Sequence, residues 1–330
     1  MKNLALPFDQ KDKNKVFINF HYESKFRSWN KFASVRSRPR RIAIEDQEND
    51  YFYPIDRTAI YGHPLIQNLT EVQKKYILLQ NAYKFMSDIA FVELELINRV
   101  AYKLYNGRSR YILPSALRFD LLSIIVDESY HAFVALDFMD QLQAVTGIAP
   151  LHLSQEVELG VSMQKFSADV AQEYSDIFEI IAICIGENTL TKELFNLTRD
   201  TKLNRVFHDV MADHMIDEGR HSNIFSRILQ EIWKEIDEHL RLQLGKMLPA
   251  FLVDYLKPDL HIEFDKKLLC EVGFQPQEIQ QIITDSYPEH NATNLKMKNP
   301  IYANILAVLT RAKILDHAPT QKEFVTLGLI

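Results

Sequence analysis

Two stretches of this chain each set a carboxylate and an imidazole on adjacent turns of one helix face. Asp127-Glu128-Ser129-Tyr130-His131 and Asp217-Glu218-Gly219-Arg220-His221 share the pattern Asp-Glu-x-x-His, 90 residues apart. The second is preceded by His214, so His214, Glu218 and His221 fall at i, i+4 and i+7 and share a face. A lone Glu-x-x-His is common on solvated helix surfaces. Two of them, if both faces are turned inward, put acids and imidazoles into a space where unpartnered charge is expensive.

Whether those faces turn inward is read from the apolar seams around them. The first strong helix begins near Thr70, where Thr70-x-x-Gln73 forms a capping-box pattern, and stops at Asn106-Gly107. Along it Leu79, Tyr83, Met86, Ala90, Glu93, Ile97, Val100 and Leu104 recur with 4-3 spacing, so Glu93 lies in the core stripe. Glu95 is rotated by roughly 200° and joins Lys84, Asp88, Asn98 and Tyr102 on the other side. A second helix runs from Pro114-Ser115 to Gly147 with the seam Leu121, Ile124, Ile125, Glu128, His131, Ala132, Ala135 and Met139. A third helical region extends from Pro150 to about Thr198, with a candidate break near Gly160, and its later seam is Ile177, Ile180, Cys184, Glu187, Thr191 and Leu194. Asp200 is a candidate cap for a fourth helix, whose seam Phe207, Met211, His214, Glu218, His221, Phe225 and Ile228 has its central positions taken by ligand-type residues.

The order Glu, Glu-x-x-His, Glu, Glu-x-x-His on four helices is the ligand order of a ferritin-like bundle that holds two iron or two manganese ions. Carboxylate oxygen and imidazole nitrogen suit iron, with manganese as the alternative ion, whereas structural zinc favours cysteine or a closed four-ligand site. Four carboxylates at −4 balance two Fe(II) at +4, so the bundle interior carries no net charge. Asp127 and Asp217 are placed to accept a hydrogen bond from the far nitrogen of a ligand histidine. Cys184, one turn before Glu187, is expected to be a packed, inert thiol.

Composition bounds the rest. Only 9 of 330 residues are Gly, apolar-periodic runs are long and turn clusters few, so the fold class is all-α: a ferritin-like four-helix core with extra flanking helices. Residues 1–68 form an irregular N-terminal arm, rich in basic residues (Lys25, Arg27, Lys31, Arg36, Arg38, Arg40 and Arg41) interleaved with Phe20, Tyr22, Trp29, Phe32, Tyr51, Phe52 and Tyr53. That mixture fits a segment packing on a helical body better than a nucleic-acid arm. Residues 69–330 read as a single helical domain, its ligand-bearing core at about 70–232 and C-terminal helices at 233–330. There Pro249 marks a kink or break, shorter helices are expected near 276–284 and 298–314, and the punctuated stretch 257–297 reads as connection. A formal charge of −6, only Cys184 and Cys270, no apolar leader at the N-terminus and no 18-residue apolar run point to a cytoplasmic protein binding neither nucleic acid nor membrane.

Glu93 through His221, with these spacings, resembles the AurF-like di-iron arylamine N-oxygenases typified by aminobenzoate N-oxygenase. Length and the irregular arm are similar too, and His214, a turn before the last Glu-x-x-His, is the residue that sets this group apart. The resemblance implies seven protein ligands, Glu93, Glu128, His131, Glu187, His214, Glu218 and His221, which are also the catalytic set. It implies a homodimer, O2, an electron donor, and oxidation of a small amine, with aromatic, carboxylated amines as candidates, through hydroxylamine to nitroso or nitro product. Arg311, the sole arginine after Arg241, is a candidate for a substrate carboxylate, with a surface role as its alternative. The same ligands also serve C–H hydroxylation or desaturation, and iron oxidation and handling is a third reading.

Overall fold

A computed structural model describes residues 15–43, 51–152, 154–171, 174–197, 203–299 and 301–330. Its helices are α1 Phe26–Phe32, α2 Ser34–Ser37, α3 Pro64–Gln67, α4 Glu71–Phe91, α5 Asn98–Tyr105, α6 Ser115–Thr146, α7 Glu158–Ala168, α8 Ser175–Leu197, α9 Arg205–Glu235 and α10 Glu238–Tyr255. There follow α11 Asp259–Val272, α12 Pro276–Ser286, α13 Ala292–Lys298, α14 Tyr302–Arg311 and α15 Ala318–Thr326. The two-residue strands β1 Val16–Phe17 and β2 Tyr111–Ile112 pair in parallel and tie the arm to the start of α6. No described helix is long and apolar enough to cross a membrane.

The first core helix starts where its sequence says it should: Thr70 and Gln73 close a reciprocal capping box. A π turn, Val92–Ile97, links α4 to α5 without interrupting the helix. Such turns are rare and often mark functional sites, and this one contains Glu93. Glu93 is fully buried and Glu95 exposed, as the seam requires. α6 ends at Gly147, whose φ of 68° takes the left-handed conformation that ends a helix at little cost.

The core is an all-α bundle in which α4–α5 lies along α6 and α8 lies along α9. Its apolar packing divides into two clusters. One holds Leu96–Leu104, Leu117–Ile124, Ile177–Ile185 and Ile224–Trp233; the other holds Leu78–Ala90, Ala132–Leu142 and Phe207–Met211. Glu93, Glu128, His131, Glu187, His214, Glu218 and His221 fall in the gap between them on every helix, so a polar layer lies between two greasy ends. The alternation also fixes direction. α4 and α9 run from the second cluster to the first, α6 and α8 the reverse, with α7 inside the long α6–α8 crossover characteristic of ferritin-like folds.

Several boundaries differ from the sequence reading. The break in the third region falls between Ala168 and Ser175, not at Gly160; Gly160 sits in the first turn of α7, where a side chain would make ordinary contact with Phe91 and Leu96. Asp200 lies outside the described residues, and the fourth core helix is capped by Asn204, whose side chain accepts from the Val206 and Phe207 amides. Pro249 is accommodated inside α10 without breaking it. The stretch 257–297 is largely helical, because Pro258 and Gly273 (φ 106°) bound α11 as start and stop signals rather than marking a loop. α15 was not anticipated. α11 also covers the far side of α4, so Lys84 is buried and paired with Asp88 at 2.5 Å, its ammonium 5.9 Å from the Phe264 ring centroid.

The arm is fastened to the bundle through buried acids. Asp120 of α6 accepts from the Tyr22 and Ser24 hydroxyls at 2.8 and 2.6 Å and from the Lys25 amide. Further along, Arg40 holds Asp137 of α6 in a two-pronged contact and Arg41 holds Asp213 of α9.

Cys184 is fully buried on α8, and burial raises its thiol well above the ordinary range; Cys270 on α11 is exposed. In the native protein a thiol reagent should therefore titrate Cys270 rapidly and Cys184 only at the rate of unfolding. Fast modification of both cysteines without denaturant would show that the α8–α9 packing is looser than described.

Candidate metal centre

The seven residues singled out in the sequence come together. Their ligand-type atoms form two overlapping groups, each with all members within 4.8 Å of one another: Glu93, Glu128, His131, His214 and Glu218 in one, and Glu128, Glu187, Glu218 and His221 in the other. Glu128 and Glu218 belong to both. They are the two acids of the Glu-x-x-His words, and their helices, α6 and α9, pack beside one another. The two groups differ in their private donors. The first adds Glu93, His131 and His214; the second adds only Glu187 and His221.

Distances support a shared polar centre. His214 Nε2 lies 2.9 Å from Glu93 and 3.2 Å from Glu218. His221 Nδ1 lies 2.8 Å from Glu128, 3.3 Å from Glu218 and 3.6 Å from Glu187. His131 Nδ1 lies 3.4 Å from Glu128 and 3.6 Å from Glu218. Both oxygens of Glu93 and of Glu128, and the nitrogens His131 Nδ1, His214 Nε2 and His221 Nδ1, are buried yet point at one another without hydrogen-bond geometry. Buried polar atoms are nearly always hydrogen-bonded, so a converging set of this kind, made of carboxylate oxygens and imidazole nitrogens, fits cations.

The protonation preferences carry the same message. Burial pushes Glu93 up to about 7, although His214 and His131 pull it down, and burial with the charges of Glu218 and Glu128 drives Glu187 well above the ordinary carboxyl range. Burial also opposes ionisation of Glu128 and Glu218, but His221 beside the first, and His214 and His221 beside the second, hold both low. Against the cost of burial, the surrounding acids raise all three imidazoles. The cluster thus draws protons into the positions where bound cations would place positive charge.

Outside the donors lies a fixed hydrogen-bond frame. The partnership of Asp127 and Asp217 with the histidines is crosswise: His221 Nε2 bonds Asp127 and His131 Nε2 bonds Asp217, each at 3.1 Å, so each aspartate serves the other helix. With Nε2 directed outward to an aspartate, Nδ1 of each ring faces the cluster. Arg220 bridges both aspartates. The arm completes the frame: Trp29 Nε1 donates to Asp127 at 2.8 Å, and the Ser34 amide and hydroxyl donate to Asp217 at 3.0 and 2.5 Å. Sequence reasoning missed Arg220, Trp29 and Ser34. Arg220 is an ordinary polar position until two buried aspartates close around it, and Trp29 and Ser34 are more than 90 residues from their partners. Arg311 is exposed and borders neither cavity at the centre.

Two cavities approach the cluster. One of about 150 Å³ has a floor of Ile89, Val134, Phe138 and Met211, reaches His131 and His214, and is roofed by Arg38–Arg41. The other, about 460 Å³, opens between α4 and α8; Ile89 and Val92 beside Glu93, and Gly186 and Thr189 beside Glu187, form its inner wall. Tyr53, Lys84, Asp88 and His261 line it further out.

A family model described as p-aminobenzoate N-oxygenase AurF matches residues 13–311. The chain is also similar to a 4-aminobenzoate N-oxygenase of Streptomyces thioluteus, 23% identical over 242 residues, covering 68% of this chain and 71% of that relative.

Because Glu93 is buried and Glu95 is not, Glu93→Ala should remove roughly half of the divalent-metal uptake measured by elemental analysis, while Glu95→Ala leaves it intact. Stripping the metal with a chelator should lower unfolding stability by about 4 kcal/mol for each site emptied, relative to protein held at a thousandfold excess over Kd. Equal uptake by both variants would mean that the helix register at the π turn is wrong.

Proposed function

The chain belongs to the p-aminobenzoate N-oxygenase family, and from that membership we propose that it is a di-iron enzyme that uses O2 to oxidise the amino group of an aromatic amine. The observation that carries this reading is the pair of overlapping donor groups sharing Glu128 and Glu218, wholly enclosed between two apolar clusters. Glu93, His131 and His214 would hold one ion, Glu187 and His221 the other, with Glu128 and Glu218 between them; manganese is the alternative occupant. When bound, the ions supply reductive activation of O2.

In the first step, amine, O2, two electrons and two protons give hydroxylamine and water. An N–O bond forms with one oxygen atom, and the other leaves as water. Further oxidation of the same nitrogen leads towards nitroso and nitro product. The second donor group is the poorer in ligands, and the 460 Å³ cavity runs beside its Glu187, so we place the amine there. That volume lies within the usual range for small-molecule sites, and its inner wall of Ile89, Val92 and Leu159 gives a ring an apolar surface. His214 distinguishes the two ions, adding a third nitrogen to a centre that otherwise holds one from each Glu-x-x-His word. A homodimer and a separate electron donor complete the proposal.

The test is anaerobic loading with Fe(II), then O2 and a panel of aromatic amines headed by 4-aminobenzoate. Iron content should reach about two ions per chain, and product mass should show oxygen from labelled O2 on nitrogen. Hydroxylation or desaturation of a hydrocarbon with the amines untouched would retain the metal site and reject the reaction. One tightly held zinc with no iron uptake would reject both.

A further inference from the structure

Residues 24–41 contain seven basic side chains and no acidic one, on a chain of formal charge −6. Three of the seven are paired locally: Arg38 with Asp213, Arg41 with Asp213 and Asp209, and Arg40 with Asp137. The other four, Lys25, Arg27, Lys31 and Arg36, are exposed and make no ion pair among the described residues. Two of them lie over aromatic rings of α1. Phe32 is 52% exposed with the Lys31 ammonium over its ring, and the Arg36 guanidinium lies 5.4 Å over Trp29.

Trp29 is half-buried, and its inner edge leads straight to the metal centre. Its indole N–H donates to Asp127 Oδ1 at 2.8 Å; Asp127 Oδ2 meets His221 Nε2 at 3.1 Å; His221 Nδ1 faces Glu128 and Glu218. Two hydrogen bonds therefore connect a surface aromatic to a donor of the second group. The donors themselves are nearly or wholly buried, so a reducing protein cannot touch them and its electrons must cross protein.

We infer that α1 and α2 form the docking surface for an acidic one-electron carrier protein, and that Trp29, Asp127 and His221 conduct its electron to the metal pair. This rests on the oxygenase reading above. Each encounter oxidises the carrier by one electron and reduces the metal pair by one; no bond forms or breaks, and two encounters supply the two electrons of the hydroxylamine step. Charge complementarity selects an acidic partner and speeds the encounter, and redox contacts of this kind are small and salt-sensitive, in keeping with a patch the size of two short helices. The guanidinium over Trp29 disfavours positive charge resting on the ring, so the indole serves as a bridge and not as a stopping point.

The probe is a reduced plant-type ferredoxin with the full, iron-loaded chain, and dithionite is the small-molecule comparison. Replacing Lys25, Arg27, Lys31 and Arg36 together by Gln should weaken ferredoxin binding, measured calorimetrically, on the order of tenfold at low salt, with the difference vanishing at high salt. Trp29→Phe should leave binding unaltered but lower the ratio of ferredoxin-driven to dithionite-driven reduction on the order of tenfold in stopped flow. As a readout independent of turnover, the Trp29 indole N–H resonance should shift when metal binds while that of Trp233 does not. An unchanged ratio in Trp29→Phe, or binding indifferent to the four substitutions, or self-association that buries Trp29 and excludes ferredoxin, would overturn the inference while leaving dithionite-driven chemistry intact. Failure of dithionite to reduce the loaded protein would instead defeat the oxygenase reading, and this inference with it.

Discussion

Four glutamates enclosed in a low-dielectric bundle repel one another and resist ionising, and the rest of this structure is organised around that difficulty. Leaving such charges unpaired costs several kcal/mol or more for each. The histidines meet part of the demand by holding protons, and Glu93 and Glu187 meet another part by resisting loss of theirs. Two divalent cations would meet it in full, since the four carboxylates total −4. The apolar clusters at either end make the demand severe, because they exclude the water that would otherwise screen it. The same packing that stabilises the fold therefore makes the centre a strong sink for cations.

The frame around the donors shows why the arm is part of the centre and not an accessory. Asp127 and Asp217 are buried acids that orient the far helix's histidine, and each needs more donors than that one imidazole can provide. Arg220 serves both, and the remaining demand is met from α1 and α2, through Trp29 and Ser34. Asp120, two turns before Asp127 on the same face of α6, anchors the chain just ahead of α1. A row of buried aspartates thus dictates the path of a segment whose regular structure is two short helices.

Asymmetry follows from one extra histidine. His214 gives the first donor group a second imidazole and packs against His131 with ring centroids 3.9 Å apart. The side bearing Glu187 has fewer donors and lies against the wider cavity, whose outer wall is built from the buried Lys84–Asp88 pair and α11.

Much of this was legible in the sequence because helical periodicity is local. An acid in an otherwise apolar seam, as at Glu93 and Glu187, announces burial from its neighbours three and four residues away, and the two Glu-x-x-His words state their own geometry. Helix ends were read well where capping chemistry is specific, as at Thr70 and Gly147. They were misread where Pro258 and Gly273 bounded a helix that looked like a loop. The sequence could say that Asp127 and Asp217 were suited to hold histidines, but not which ones, because the crosswise pairing depends on how α6 and α9 face each other. Nor could it single out Trp29, Ser34, Arg220 or the burial of Lys84. Each of these owes its role to a partner or a covering helix brought to it through space, and such proximity is settled by packing, where no residue's local pattern carries the information.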